Sequence, residues 1–190
     1  MILPITAYGH PTLRKVAVDI EADYPELQSL IENMFETMYA AVGVGLAAPQ
    51  INKSIRLFVI DATPFEEDHP ETKDFKKVFI NARIIEENGE EWPMGEGCLS
   101  LPGMNEEVSR QPEITIRYFD ENFQAHEEHY KGILARIIQH EYDHIEGILY
   151  VDRLPVLKKM LLKGKLRDIS EGKVDVDYRM IFPRLRKKVK

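Results

Sequence analysis

Apolar residues recur at helical spacing near the start of this 190-residue chain, alternate with polar ones through its middle, and return to helical spacing toward its end. Leu27, Leu30, Ile31, Met34, Phe35 and Met38 lie three or four residues apart, so a helix carrying them presents one apolar face. Pro25 suits the first helical position, which needs no backbone N–H, and Gly43-Val44-Gly45 ends the run. Residues 55–60 are β-branched and apolar and predict a strand, whereas the acidic, proline-containing stretch 63–74 predicts an exposed loop. Strands are expected again at 78–85 and 114–119. In the second of these, Ile114, Ile116 and Tyr118 alternate with Thr115 and Arg117, the period of a half-buried strand. Asp120-Glu121-Asn122 then predicts a turn into a strand at 124–130, completing a hairpin. Helical spacing covers 132–146 and, after Pro155, roughly 156–168. Strands gathered between helices by hairpin-length links give an α+β class, with antiparallel β-sheets around the helix at 132–146 and a helix at either end of the chain. No repeat or linker interrupts the pattern, so one domain over 1–190 is expected.

The helix at 132–146 contains His140-Glu141-Tyr142-Asp143-His144, an H-E-x-x-H sequence. Four residues make just over one helical turn, so both imidazoles share a face and can hold one divalent metal. Glu141 flanks that face, placed to exchange protons with a water held there, a pattern for hydrolysis by activated water. A polar stripe on a solvated surface would spell the same letters. Against it, Ile133, Ile137, His140 and His144 follow at spacings of four, three and four, which sets the imidazoles on the apolar face. Buried histidines need partners, and a metal supplies one.

A catalytic site of this type takes three protein ligands and keeps one position open. Cys98, the only cysteine, sits in Gly95-Glu96-Gly97-Cys98-Leu99-Ser100. Its thiolate would suit a borderline-soft metal, although most free cysteines are small buried hydrophobes. His10, His69, His126, His129 and many carboxylates compete, so the residues alone leave the third ligand open. A third segment, Gly43-Val44-Gly45-Leu46-Ala47-Ala48-Pro49-Gln50, offers close backbone approach and an amide donor, yet by itself reads as a plain helix-to-strand loop.

Composition narrows the setting. An apolar share of 44% and a charged share of 30% are those of a soluble globular protein, and the length suffices for a core without disulfides. Net charge of −7 gives no support to binding DNA, and no apolar run reaches membrane-spanning length. One cysteine cannot close an internal disulfide and the first ten residues lack a secretory pattern, so a reducing cytoplasm is expected. The stretch 183–190 is strongly basic in an acidic protein and reads as a solvated tail.

Taken together, Gly43 to Gln50 (G-x-G-L-A-A-x-Q), Glu96 to Ser100 (E-G-C-L-S) and Gln139 to His144 (Q-H-E-x-D-H) resemble the peptide deformylases, and the resemblance continues through 147–154. It implies metal binding by Cys98, His140 and His144, with Glu141 as general base and then acid. It further implies that Gln50 and the Leu99 N–H stabilise an oxyanion, that Gly45 lets the substrate backbone pass, and that Glu96 pairs with Arg110. The implied reaction strips formyl from the N-terminal formyl-methionine of nascent polypeptides. Ferrous iron is the implied cellular metal, with Zn2+, Ni2+ or Co2+ in purified protein. An apolar slot for the methionine side chain is expected from Val44, Met94, Ile133 and Ile137, and ribosome contact through the C-terminal tail is a further implied partner. Two rivals remain: a peptidase recruiting Asp152 as third ligand, and a structural zinc site with a fourth protein ligand.

Overall fold

The computed structural model describes residues 1–183, so the basic stretch 184–190 lies outside the described residues. In chain order its first elements are β1 (Ile5–Thr6), α1 (Leu27–Ala40), β2 (Gly45–Ala47), β3 (Leu57–Asp61) and β4 (Lys76–Asn88). They are followed by β5 (Trp92–Cys98), β6 (Leu101–Arg110), β7 (Glu113–Phe119), β8 (Ala125–Lys131), α2 (Gly132–Ile145), α3 (Val156–Ser170) and β9 (Met180–Ile181). Five strands form one sheet in the order β2-β3-β4-β7-β8, antiparallel throughout, as the α+β reading expects.

The two faces of that sheet receive different helices. Along β3, Phe58 and Ile60 point into the core shared with Ile133, Leu134, Ile137 and Ile138 of α2. Leu57 and Val59 point into the core shared with Leu30, Ile31 and Met34 of α1. Both faces of β3 are covered, which is why its sequence is continuously apolar instead of alternating. Phe58 and Phe79 stack at 4.7 Å between ring centroids beneath α2. The β7–β8 hairpin turns where expected, with Asp120 Oδ1 accepting from the N–H groups of Asn122 and Gln124, both at 2.9 Å.

Several expectations need correction. Pro25 is not the first helical residue: Glu26 takes a left-handed backbone (φ +56°) and α1 begins at Leu27, so the proline belongs to the turn before it. The acidic stretch 63–74 is mostly exposed but contains two single 3₁₀ turns and buries Thr72, whose hydroxyl donates to the His69 carbonyl at 2.8 Å. The last helix buries only Leu166 and Ile169, while Val156, Leu157, Met160 and Leu161 face solvent. Strands β5 and β6 had no signal, because Pro93, Gly95, Gly97 and Pro102 break any apolar alternation. They pair with each other alone, and β6 packs Leu101, Met104 and Val108 on a third core with Leu149, Tyr150 and Leu166. The short β1–β9 pair is parallel, as is the isolated bridge between Val18 and Ile55. Among the described residues no helix is long and apolar enough to cross a membrane.

Candidate active site

Helix α2 leaves β8 through Gly132, which takes φ +58° and ties its N–H to the Pro112 carbonyl at 2.8 Å, so the helix turns back across the sheet. One turn apart on α2, His140 and His144 have ring centroids 5.2 Å apart. The β5–β6 turn brings Cys98 to them, with Sγ 3.3 Å from His144 Nε2. Donor atoms of all three residues lie within 4.8 Å of one another. The competing groups are engaged elsewhere. His10 caps a short turn through Thr12 N–H, His69 faces Glu71, His126 pairs with Asp120 and His129 with Glu113. Asp152 is held by Arg14 and by the Leu149 N–H. Among the described residues the cluster has three protein donors and no fourth.

The donor set fits a divalent metal. A thiolate with two imidazoles suits Fe(II), Zn(II), Ni(II) or Co(II). Burial, reinforced by His140 and Arg110, pushes His144 well below the ordinary histidine range, which keeps its ring neutral and its lone pair free. Glu96 accepts from His140 Nδ1 at 2.9 Å; against the effect of burial, hydrogen bonds to Cys98 and Glu96 hold that ring well above the ordinary histidine range, and a bound metal would take the place of the proton on Nε2.

Behind the donors lies a buried charge network. Glu96 receives Arg110 Nε and Nη2 at 2.7 and 2.8 Å and Arg136 Nη1 at 3.0 Å. Arg110 also reaches Asp143 at 2.7 Å, and Asp143 is held from the other side by Arg153 at 2.6 and 2.5 Å. Burial alone would push the Glu96 carboxyl up; the hydrogen bonds from Arg110 and His140 outweigh it and hold the group well below the usual carboxylate range. The expected Glu96–Arg110 pair is present. Sequence reasoning missed Asp143 and Arg136, although Arg136 stands four residues before His140, a spacing that lets both reach Glu96 from one helix face. Arg136 also stacks on Trp92 at 4.8 Å and donates to the Trp92 and Val108 carbonyls.

A cavity of about 600 Å³ opens over this centre. Val44, Gly45, Gln50, Met94, Cys98, Leu99, Ile133, Ile137, His140 and Glu141 line it, so of the expected site residues only His144 is set back from its wall. Glu141 is 4% exposed and its Oε2 has no hydrogen-bond partner, while burial pushes its carboxyl up to about 7. A Cβ on Gly45 would stand 2.7 Å from Glu141 Cδ and 2.8 Å from Cγ, so this glycine makes room for the carboxylate. Gln50 Oε1 accepts from the Ala47 N–H at 2.8 Å, which turns Nε2 toward Ser100 Oγ at 3.3 Å and Cys98 Sγ at 3.5 Å. Val176, Asp177 and Tyr178, for which no motif gave a signal, also line the cavity.

The family model described as polypeptide deformylase matches residues 2–160. A peptide deformylase of Christiangramia forsetii is 58% identical, over 98% of this chain and 99% of that one. The crystal structure of a Legionella pneumophila peptide deformylase matches with a TM-score of 0.78 and 39% identity, over 91% of this chain and 98% of that one. An Acinetobacter baumannii peptide deformylase solved with Met-Ala-Ser bound matches with a TM-score of 0.74 and 32% identity, over 81% of this chain and 99% of that one. Shared fold, near-complete coverage and high identity lead to one conclusion: this chain belongs to the polypeptide deformylase family of enzymes.

Proposed function

We propose that this protein, acting as a single domain in the cytoplasm, removes the formyl group from the N-terminal formyl-methionine of newly made polypeptides. Formate and a free amine are the products. The observation that carries the reading is a buried Glu141 carboxylate, its Oε2 unpartnered, on the wall of a cavity that Cys98 and His140 also line. Cys98, His140 and His144 would hold a divalent ion, ferrous in the cell and zinc, nickel or cobalt after purification, which when bound supplies Lewis acidity and a lowered water pKa.

The chain's own groups do the rest. Glu141 takes a proton from the attacking water as its oxygen adds to the formyl carbon. The C–N bond then breaks, Glu141 returns the proton to the leaving nitrogen, and formate departs. Gln50 Nε2 and the Leu99 N–H donate to the oxygen on which negative charge develops. Glu96 keeps the His140 ring from turning. Val44, Met94, Ile133 and Ile137 surround the methionine side chain, a role supported by the methionine-led peptide held by the Acinetobacter relative.

Formate release from formyl-Met-Ala-Ser by anaerobically prepared protein, with metal content assayed in parallel, tests the reading. Metal-loaded protein that releases no formate overturns it. Cys98→Ala is expected to lose the metal as well as activity, and a fully metallated variant would remove Cys98 from the ligand set. Gly45→Ala is expected to keep the metal while turnover falls by about 10²-fold, because the new methyl group displaces the Glu141 carboxylate. Unchanged turnover would show that the carboxylate does not need its present place.

A further inference from the structure

The family match ends at residue 160, yet the chain returns to the cavity well after that point. Beyond α3, β9 pairs with β1: the Ile5 N–H donates to the Arg179 carbonyl and the Ala7 N–H to the Ile181 carbonyl, both at 2.8 Å. Val174, Met180 and Phe182 pack on the third core. This anchoring sets residues 176–178 against the cavity.

There the segment grips the turn that carries Cys98. The Tyr178 hydroxyl donates to the Leu99 carbonyl at 2.7 Å. On the same turn the Tyr8 N–H, just past β1, donates to the Ser100 carbonyl at 2.9 Å. The Leu99 and Ser100 carbonyls are thereby held by residues that flank the paired strands β9 and β1. From the opposite side Gly43 closes on Leu99, whose Cδ1 lies 2.9 Å from where a glycine Cβ would stand. Leu99, itself partly buried, is thus held at its carbonyl by the tyrosine and met at its side chain by Gly43.

Charge gives the segment a second property. Of the charged residues lining the cavity, Glu96, Arg136 and Glu141 are buried, His140 is nearly so, and Asp177 alone is exposed. Among the described residues no ion pair engages Asp177. A peptide leaving the cavity along this wall meets one uncompensated negative charge.

We propose that residues 176–178 form a substrate-channel wall, in which Tyr178 is a positioning residue for the oxyanion donor Leu99 and Asp177 favours basic over acidic side chains downstream of the formyl-methionine. The proposal rests on the deformylase reading above. Its test compares formyl-Met-Ala-Lys-Lys with formyl-Met-Ala-Glu-Glu on wild-type, Asp177→Lys and Tyr178→Phe holoenzyme. The unformylated peptides are titrated in parallel by calorimetry at low and high salt. Wild-type protein is expected to show a KM about fivefold lower for the lysine peptide, a preference that shrinks with salt. Asp177→Lys is expected to reverse that order in both KM and product affinity. Tyr178→Phe, which keeps the ring and loses the hydrogen bond, is expected to lower kcat about fivefold with KM and melting midpoint held.

An unchanged peptide order in Asp177→Lys, or an unchanged kcat in Tyr178→Phe, overturns the corresponding half of the wall. Absence of formate from every peptide with wild-type protein defeats the deformylase reading instead. In that event peptide affinities that ignore Asp177 overturn the wall as well, and affinities that reverse with it support the wall on its own.

Discussion

Glu141→Gln is expected to leave a folded, metal-loaded protein whose formate release falls by about 10²- to 10⁴-fold. Glutamine has the same shape, so it keeps the contact with Gly45 and leaves the donors Cys98, His140 and His144 untouched. It cannot take a proton from water. The size of the expected loss is that of a general acid–base group, and the environment of the carboxyl suits the role. Glu141 is 4% exposed, its Oε2 is unpartnered, and burial raises its carboxyl to about 7. A group poised there can accept a proton and give it back near neutral pH, which is what a base that later serves as acid requires. Metal content and melting midpoint measured with the kinetics separate loss of chemistry from loss of structure. A variant that keeps more than about a tenth of the wild-type rate would end the assignment of Glu141 as base.

The second large effect is on stability. Arg110→Met removes the cation that bridges Glu96 and Asp143, both buried, and leaves each carboxylate with less than its full set of partners. Breaking a buried pair in this way costs roughly 3–5 kcal/mol, because the charge left behind stays out of water. For a chain of this size that corresponds to a fall of roughly 10 °C in melting midpoint. Arg153→Met should cost far less, since Arg153 is 37% exposed and Asp143 keeps Arg110. The pH dependence has a definite sign. Glu96 is held below its ordinary value of 4.5 in the folded protein, so its contribution is complete above that pH and is lost as pH falls toward the lowered folded value. The stability gap between wild type and Arg110→Met is therefore expected to narrow below about pH 4.5. Urea unfolding at several pH values measures it. A gap that stays constant from neutral pH down to acid would show that the network does not act through Glu96.

Much of the fold and part of the site could be read from the order of residues. The apolar face of α1, the half-buried period of β7, the β7–β8 hairpin and the shared face of His140 and His144 all follow from spacing within one element. Backbone geometry sets such spacings wherever the element forms, so a local pattern is enough to reveal them. The three motif segments went further, because their order along the chain matched the deformylase family as a set.

Relations between elements had no such local code. Residue chemistry alone does not set Cys98 apart from His10, His69, His126 or His129; the E-G-C-L-S segment did so only through its resemblance to a family. Only the seat of the β5–β6 turn against α2 puts its sulfur beside the two imidazoles, while the other histidines fall to remote carboxylates or a turn. Strands β5 and β6 themselves were hidden by their prolines and glycines; they exist because each satisfies the other's backbone hydrogen bonds. Asp143, one of the variable positions of H-E-x-x-H, proved to share Arg110 with Glu96, and residues 176–178 reached the cavity only through the β1–β9 pairing. Residue order thus specified the helix face that carries two imidazoles and a carboxylate. The motif resemblance added Cys98 and the Glu96–Arg110 pair, but the placement of the sulfur, the shares of Asp143 and Arg136 in the charge network, and the far wall were decided by packing, because contacts between distant segments depend on how all the layers close together and not on any one stretch of chain.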